Sequence, residues 1–288
     1  MKFTFIHEHR DEFDVGIMCA VLAVSRAGFY AWLGRPESPR AVAARELAQQ
    51  IRVVHHETHG VYGSLKITRE LQARDHHADR KTVAKLMKSM GIRSIVCRKF
   101  RVQTTDSNHE DPIAPNTLGQ DFAAADAPNK VWAADITYIR TDEGFLYLAG
   151  VMDLYSRRIV GWSMQDTLAT ELVEDAFDMA LLARMPSSGL LHHSDRGCQY
   201  ASRDYREKLR TAGVEMSMSR AGNCYDNAVI ESFWGKLKVE MVNHRRFATK
   251  EEARVAIFEY IEMFYNRIRL HAALDYLSPV QFENRQVA

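Results

Sequence analysis

The sequence predicts an α/β protein, with a mixed five-stranded sheet flanked by helices and preceded by an all-α region. Three β-type runs follow one another closely at 131–141, 145–153 and 157–165, and helical and strand-like segments alternate after them. Before about residue 100, apolar residues recur at helical spacing instead. We therefore expect helices alone in the first third of the chain and a sheet after it.

Length and composition fit a globular chain of about two domains. The 288 residues are 46% hydrophobic and 26% charged, which excludes a disordered chain, a collagen and a disulfide miniprotein. The formal charge of +1 gives no sign of a nucleic-acid partner. However, 18 basic and 12 acidic residues lie in positions 1–110, whereas 20 basic and 25 acidic residues lie in positions 111–288. The near-neutral total therefore hides a basic part and an acidic part.

The four cysteines are far apart and include no CxxC pair: Cys19, Cys97, Cys198 and Cys224. Neither a disulfide framework nor a zinc ribbon is expected, and no cysteine pair accompanies the histidines near residues 55–59. The acidic start does not resemble a signal peptide, and no window holds ~18 uncharged apolar residues. We expect a cytoplasmic protein without a membrane segment.

The first predicted segment, residues 1–36, resembles a helix-turn-helix. Apolar residues at helical spacing lie on both sides of Ser25, which can cap the second helix. Arg26, the first residue of that helix, is a candidate DNA contact. The string RPESPR, with Pro36 and Pro39, breaks the helix and forms a short connector.

The second segment, residues 37–101, is strongly basic. Fourteen basic residues face five acidic ones between positions 40 and 101. We predict helices at 42–57, 64–73 and 80–90, the last with an apolar stripe opposite its lysines. A solvated helix face is the simpler interpretation, but the charge excess beside a second helix-turn-helix-like pattern favours a DNA-binding domain. The candidate DNA contacts are Arg69, Lys81, Lys85 and Lys88.

The proline-containing stretch 102–128 shows no periodicity and is predicted to be a linker. The sheet-containing domain is placed at 129–245 and a helical extension at 246–288. After the three strands we expect helices and strands at 171–184, 190–194, 202–212, 214–218, 227–242 and 250–264, the last of which should end the ordered part.

Three acidic residues between positions 129 and 245 lie where the fold alone does not require a carboxylate. Asp135 is in the middle of the first strand, Asp195 directly follows the strand at 190–194, and Glu231 lies in a mostly apolar helix. A buried, unpaired carboxylate costs several kcal/mol, roughly, so a strand-borne acid needs a cation or several donors. Asp135 alone is more simply interpreted as a hydrogen-bonded residue on an edge strand. Together, the acids suggest a site for a hard metal ion such as Mg²⁺.

The sequence resembles the insertion-sequence transposases of the IS3 family, second reading frame. The strings WAADIT (132–137), HSDRGCQY (193–200) and DNAVIESFWGKLKVE (226–240) match their DDE signature, with 35 residues between Asp195 and Glu231. The end of the chain, from Tyr265-Asn266 to Ser278-Pro279, resembles the family's C-terminal motif. HGVYG (59–63) and the following basic helix resemble its helix-turn-helix region.

The resemblance implies an RNase H-like core with Asp135, Asp195 and Glu231 as catalytic and metal-binding triad. Two Mg²⁺ ions, or Mn²⁺ in their place, would support hydrolysis at the element's end and attack of the freed 3′-hydroxyl on another phosphodiester. Lys238 and Asn227 are expected to contact DNA, while His193 and Ser232 would support the site.

The resemblance implies double-stranded DNA as the partner, both as the element's terminal inverted repeats and as the target. It also implies a homo-oligomer on that DNA and a possible upstream-frame product, either as a separate protein or as a fusion with this chain. Two alternatives remain open at this point. A regulator without catalysis would need only the basic part, and an RNase H-type nuclease would use the same core without joining strands.

Overall fold

The computed structural model describes residues 1–95, 112–119, 121, 125–220 and 227–285. The chain forms two compact units, Met1–Val53 and Val54–Ala288. The limits of the five predicted segments do not coincide with the limits of these two units, so the predicted domain division remains a prediction.

The first unit contains three short helices: α1 (Lys2–Glu8), α2 (Val15–Val21) and α3 (Arg26–Leu33). The side chain of Ser25 accepts a hydrogen bond from the Gly28 amide at 2.9 Å, which confirms the predicted cap of α3. A small core of Ile6, Met18, Cys19 and Phe29 lies inside this unit. The sequence did not predict α1, whose seven residues supply Ile6 to that core.

The basic part of the chain is helical, as expected: α4 (Pro39–Glu57), α5 (Ser64–Ala73) and α6 (Arg80–Ser89). α4 begins at Pro39, earlier than predicted, because proline is tolerated in the first helical turn, where its missing N–H needs no partner. Asp79 caps α6 by accepting hydrogen bonds from the amides of Lys81 and Thr82.

The second unit contains the predicted mixed five-stranded sheet. Its strands are β1 (Val131–Thr141), β2 (Gly144–Asp153), β3 (Ile159–Gln165), β4 (Leu191–Ser194) and β5 (Glu215–Met218), in the order β3-β2-β1-β4-β5. β1, β2 and β3 pair antiparallel, whereas β4 pairs parallel with β1 and with β5. β1 is therefore the middle strand, and the interpretation of Asp135 as an edge residue is wrong.

Helices cover the sheet: α7 (Thr170–Arg184), α8 (Cys198–Ala201), α9 (Arg203–Thr211) and α10 (Ala228–Glu240). One face buries Trp132 and Ala134 of β1 against α7 and α9. α7 packs so closely on β3 that a Cβ at Gly161 would lie 2.2 Å from the Ala176 carbonyl oxygen, so only glycine fits there. Asp135 alternates with these residues and points to the other face, where α10 lies.

The prediction that order ends near residue 264 is wrong. α11 (Lys250–Phe258) continues as a π-helical segment (Glu259–Tyr265), and α12 (Pro279–Arg285) follows. The Asn266 amide bonds both backbone groups of Ile159 at 3.0 Å and so extends the pairing of β3. Polar side chains therefore hold a segment that has little apolar periodicity.

Glu283 of α12 completes this attachment. It accepts hydrogen bonds from Ser156, Arg158 and Arg184 at 2.7–2.9 Å. We call Glu283, Ser156, Arg158 and Arg184, together with Asp153 beside Arg184, the C-terminal clamp.

Two further contacts join distant parts of the second unit. The Tyr62 hydroxyl, from the HGVYG string, accepts a hydrogen bond from the Leu270 amide at 2.7 Å and donates one to the Ile268 carbonyl at 3.1 Å. Residues 112–119, within the predicted linker, lie along β5, where the Ser217 hydroxyl accepts hydrogen bonds from two of their amides.

Among the described helices, none is by itself long and apolar enough to cross a membrane; α2 and α3 reach that length and hydropathy only together, with a bend of 113° between them.

Candidate active site

The three predicted acids lie together near the middle of β1 and the carboxyl end of β4. Ala134 and Ser194 are partners in the parallel pairing, so Asp135 and Asp195 follow at the same level of the sheet. Glu231 comes from the first turn of α10. We call these three side chains and their surroundings the carboxylate cleft. A cavity of about 120 Å³ lies beside Asp135 and Asp195.

Electrostatics confirm the proximity of the three acids. Burial, and then the charge of Asp195, raises the pKa of Asp135 well above its usual value, and Glu231 adds to the shift. Burial and Asp195 also raise the pKa of Glu231. Like charges that face one another raise each other's pKa, so ionised acids here destabilise the protein unless a cation neutralises them.

Asp135 is held by two donors that fix its orientation. The Ile136 amide bonds Oδ1 at 2.9 Å, and the Trp234 indole N–H bonds Oδ2 at 3.0 Å. Trp234 reaches this position because Gly150, the β2 partner of Asp135, leaves room for it. A Cβ at Gly150 would lie 2.8 Å from the Trp234 ring.

Asp195 is oriented by the turn that follows β4. Its Oδ1 accepts a hydrogen bond from the Gly197 amide at 2.9 Å, just before α8 begins at Cys198. The sequence did not predict this one-turn helix. Because the backbone of this turn fixes one oxygen of the Asp195 carboxylate, the turn also determines where the other oxygen points.

Glu231 is exposed, and the residues directly before α10, 221–226, lie outside the described part of the chain. Within the described part, no three His, Cys, Asp or Glu side chains form a ready-made metal-ligand group. The cleft therefore offers the right kind of oxygen donors without a closed coordination sphere.

Lys238 lies beside the cleft, and its expected contact with DNA stays a prediction. Its ammonium is 5.0 Å from the centre of the Tyr138 ring, a cation–π contact. Burial lowers the pKa of Lys238, and the charge of Asp135 opposes that shift. Lys238 is thus close enough to Asp135 for the two charges to interact.

The other predicted companions of the acids differ in position. Asn227 is buried and its amide donates to the Ala134 carbonyl at 3.1 Å, so the expectation that it contacts DNA is corrected to a supporting position behind Asp135. The His193 ring bonds the hydroxyls of Ser217 and Ser219 on the β5 side. Ser232 is exposed and accepts a hydrogen bond from Lys236 at 2.9 Å.

The remaining predicted DNA contacts do not line the cleft. They are exposed side chains on helices: Arg26 on α3, Arg69 on α5, and Lys81, Lys85 and Lys88 on α6. Arg69 lies over the Tyr276 ring at 5.2 Å. The structure thus gives them accessible surfaces and leaves their roles as predictions.

Trp234, Gly150 and Tyr138 were missed as site residues. Trp234 follows Glu231 by three residues and so lies on the same helix face, a signal that could have identified it. Gly150 could not be found in this way, because its pairing with Asp135 depends on the register of two strands.

Comparison with known proteins identifies the family. Two models described as "Integrase core domain" match residues 125–224 and 231–287, and one described as "HTH-like domain" matches residues 43–100. The chain is 46% identical over 268 residues to "Insertion element IS600 uncharacterized 31 kDa protein" of Shigella sonnei, covering 93% of this chain and 98% of that protein. It is 42% identical to "Transposase InsF for insertion sequence IS3A" of Escherichia coli (strain K12), over 100% of both chains.

Among solved structures, the catalytic core domain of HTLV-2 integrase in complex with magnesium aligns with a TM-score of 0.42 and 15% identity, covering 54% of this chain and 97% of that one. A simian T-cell lymphotropic virus intasome chain aligns with a TM-score of 0.46 and 15% identity, covering 82% of this chain and 74% of that one. The full-length relatives decide the assignment: the chain belongs to the IS3 family of insertion-sequence transposases and is a polynucleotidyl transferase of the DDE class.

Proposed function

We propose that the carboxylate cleft is the metal-dependent site at which this transposase cuts the ends of its element and joins them to target DNA. One observation carries the proposal. Asp135 and Glu231 form no ion pair with any described side chain, although Asp135 is partly buried and both face Asp195. Asp135 and Glu231, which are repelled by Asp195 and have no ion pair of their own, fit a site that a cation completes.

The donor set fits Mg²⁺, with Mn²⁺ as a substitute. Both ions prefer oxygen ligands, and Mg²⁺ keeps several waters and needs only a few carboxylates when a substrate phosphate supplies further oxygens. Asp135, Asp195 and Glu231 would hold two ions. When bound, such ions activate an attacking oxygen and stabilise a leaving oxygen in an in-line displacement.

The protein's own groups would orient the reacting strand. Trp234 and the Ile136 amide fix the Asp135 carboxylate, and the Gly197 amide fixes that of Asp195. Lys238 would contact a phosphate of the terminus from beside Asp135. Water displaces the 3′ oxygen from phosphorus at the element's end, and the freed 3′-hydroxyl then displaces a target 3′ oxygen in the same way.

DNA would also be bound by the exposed residues of α5 and α6, namely Arg69, Lys81, Lys85 and Lys88, and by Arg26 of α3. These contacts would recognise terminal inverted repeats at the bacterial nucleoid. We further propose that the active form is an oligomer on DNA, alone or with the upstream-frame product.

A strand-transfer assay tests the function. A duplex ending in the inverted repeat with a free 3′-hydroxyl is incubated with the protein, target plasmid and Mg²⁺. We expect joined products that disappear when EDTA replaces Mg²⁺ or when Asp135→Asn replaces the wild type. Cleavage without joining would instead favour an RNase H-type nuclease, and DNA binding without cleavage would favour a regulator.

A further inference from the structure

A second charged cluster lies on α10, away from the carboxylate cleft. Three half-buried cations converge there from separate elements: Lys66 of α5, Arg157 of the turn between β2 and β3, and Lys236 of α10. Arg269 and His271 of the C-terminal segment lie behind them and are buried. These residues are distant in sequence, so the tertiary fold creates the cluster.

Among the described residues, Glu240 is the carboxylate that faces these groups, and it already has partners of its own. Glu240 accepts hydrogen bonds from the Arg269 guanidinium at 2.8 Å and from the Tyr260 hydroxyl at 2.8 Å. Arg269 and Glu240 therefore neutralise each other. In the part of the chain that the structure describes, Lys66, Lys236 and Arg157 form no ion pair.

The cluster is unfavourable for the free protein. Burial is the main reason that the pKa of both Lys66 and Lys236 is lowered to about 8; the charge of Arg269 adds to this shift, and the charge of Glu240 opposes it. Lys66 is also stabilised by the Tyr62 ring at 5.0 Å, and Lys236 by the Ser232 hydroxyl. The simplest interpretation of the cluster is a basic surface that contacts only water. In that case, however, the lysine side chains would extend away from one another. Half-buried cations that repel each other fit an anion-binding site instead.

The geometry of α10 connects this cluster to the cleft. Residues two apart on a helix point in directions that differ by about 200°, so Lys236 and Lys238 lie on opposite sides of α10. Lys238 faces Asp135, whereas Lys236 faces Lys66 and Arg157.

Gly235 lies on the exposed ridge between these two sides. A glycine inside a helix is less stable than alanine, and close packing usually explains it. Here a Cβ would have no described atom within 4 Å, so no contact within the described protein requires glycine. A substrate backbone that crosses the helix closely at this point would require it.

We propose that Lys66, Lys236 and Arg157 form a phosphate-binding site for the DNA backbone, and that the strand running from the carboxylate cleft to this site crosses α10 at Gly235. The inference deepens the proposed function and rests on it. The ligand is a phosphodiester of the bound strand, some nucleotides from the reacting one.

The test measures DNA binding by the full-length chain without divalent metal, so that cleavage does not enter. Affinity for a duplex with the inverted repeat is determined by fluorescence anisotropy across a series of salt concentrations. For Lys66→Gln/Lys236→Gln we expect ~10-fold or greater loss of affinity, and a slope of log K against log salt reduced by about 1 to 2, since each lost phosphate contact removes about 0.9. Lys130→Gln, an exposed lysine without a described ion pair, is the control and should change neither.

Thermal melting of the free proteins separates a binding role from a structural one. Removing cations that repel each other should leave the Tm of the double variant unchanged or higher, whereas a structural cluster would lower it. Gly235→Ala should likewise raise the Tm while weakening DNA binding.

Unchanged DNA affinity in these variants would overturn the proposal. A second result would also overturn it: inorganic phosphate raises the Tm of the wild type but not of the double variant, while the two proteins bind DNA with equal affinity. The cluster would then bind the free ion and not the DNA backbone. Cleavage by the wild type is measured in a separate assay. A wild type that does not cleave DNA contradicts the proposed function, whereas variants with unchanged DNA affinity contradict only this inference.

Discussion

The carboxylate cleft and the C-terminal clamp both bring acidic side chains together in the second unit, but their surroundings differ. In the clamp, Glu283 accepts hydrogen bonds from two arginines and a serine. Burial alone would raise the pKa of Glu283, yet these partners outweigh it and lower that pKa. In the cleft, burial and neighbouring acids both raise the pKa of Asp135.

The difference separates two uses of buried charge. A cluster that the protein neutralises by itself holds elements together, as the clamp holds α12 against the sheet. A cluster that stays unneutralised weakens the free protein and favours a ligand of opposite charge. The carboxylate cleft therefore favours binding of a cation. The cluster of Lys66, Arg157 and Lys236 on the other side of α10 favours binding of an anion.

The largest expected effect tests the cleft. Glu231→Gln removes one oxygen charge from the proposed metal site, so Mg²⁺-dependent strand cleavage should fall by ~10³-fold or more, equivalent to about 4 kcal/mol of transition-state stabilisation. The free energy of unfolding without metal should change by less than ~0.5 kcal/mol, because Glu231 is exposed. Glu215→Gln on β5 is the control, and equal loss of cleavage in both variants would refute the assignment.

The clamp should show the opposite pattern. Glu283→Gln removes the carboxylate partner of Arg158 and leaves Arg184 with Asp153 alone, and should lower the free energy of unfolding by about 3 kcal/mol, measured by urea denaturation. The protein that remains folded should still cleave DNA. An unchanged urea midpoint would show that the clamp does not hold the C-terminal segment.

A smaller effect is expected at Trp234, which positions Asp135 without being a catalytic residue. Trp234→Phe removes the indole donor and should raise the Mg²⁺ concentration for half-maximal cleavage by about tenfold, as for other residues that orient metal ligands. Trp162→Phe, whose indole bonds Glu262 instead, is the matched control. If both variants respond alike, the indole of Trp234 has no specific role.

The smallest effect concerns acid. Because the folded-state pKa of Glu283 is lowered, its contribution to stability is present above its unfolded pKa, about 4.3, and is lost as pH falls through the folded value. The difference in unfolding free energy between wild type and Glu283→Gln should therefore shrink in acid. A difference that stays constant down to pH 2 would contradict the assignment.

Local patterns predicted most of the sheet and the three acids. The bounds of β1 and the cap at Ser25 follow from alternation and from side-chain chemistry over a few residues. The segment beyond residue 264 could not be predicted in this way. Its order depends on single polar contacts, such as that of Asn266 with Ile159, which leave no periodic signal.

The same limit applies to the sites. The positions of Asp135, Asp195 and Glu231 in the chain, together with the family resemblance, led to their prediction as a site, but only the register of β1 with β2 shows that Gly150 makes room for Trp234. The convergence of Lys66, Arg157 and Lys236 likewise requires the tertiary fold. Asn227 was misplaced because its position next to the motif did not show that it is buried.

Mg²⁺-dependent melting tests the central claim most directly, namely that a cation neutralises the carboxylate cleft. A ligand that binds only the folded state raises the Tm with its concentration. We predict a saturable rise in Tm with Mg²⁺ for the wild type and for Glu283→Gln, and none for Asp195→Asn. An equal rise in all three proteins, or none in the wild type, would contradict the account.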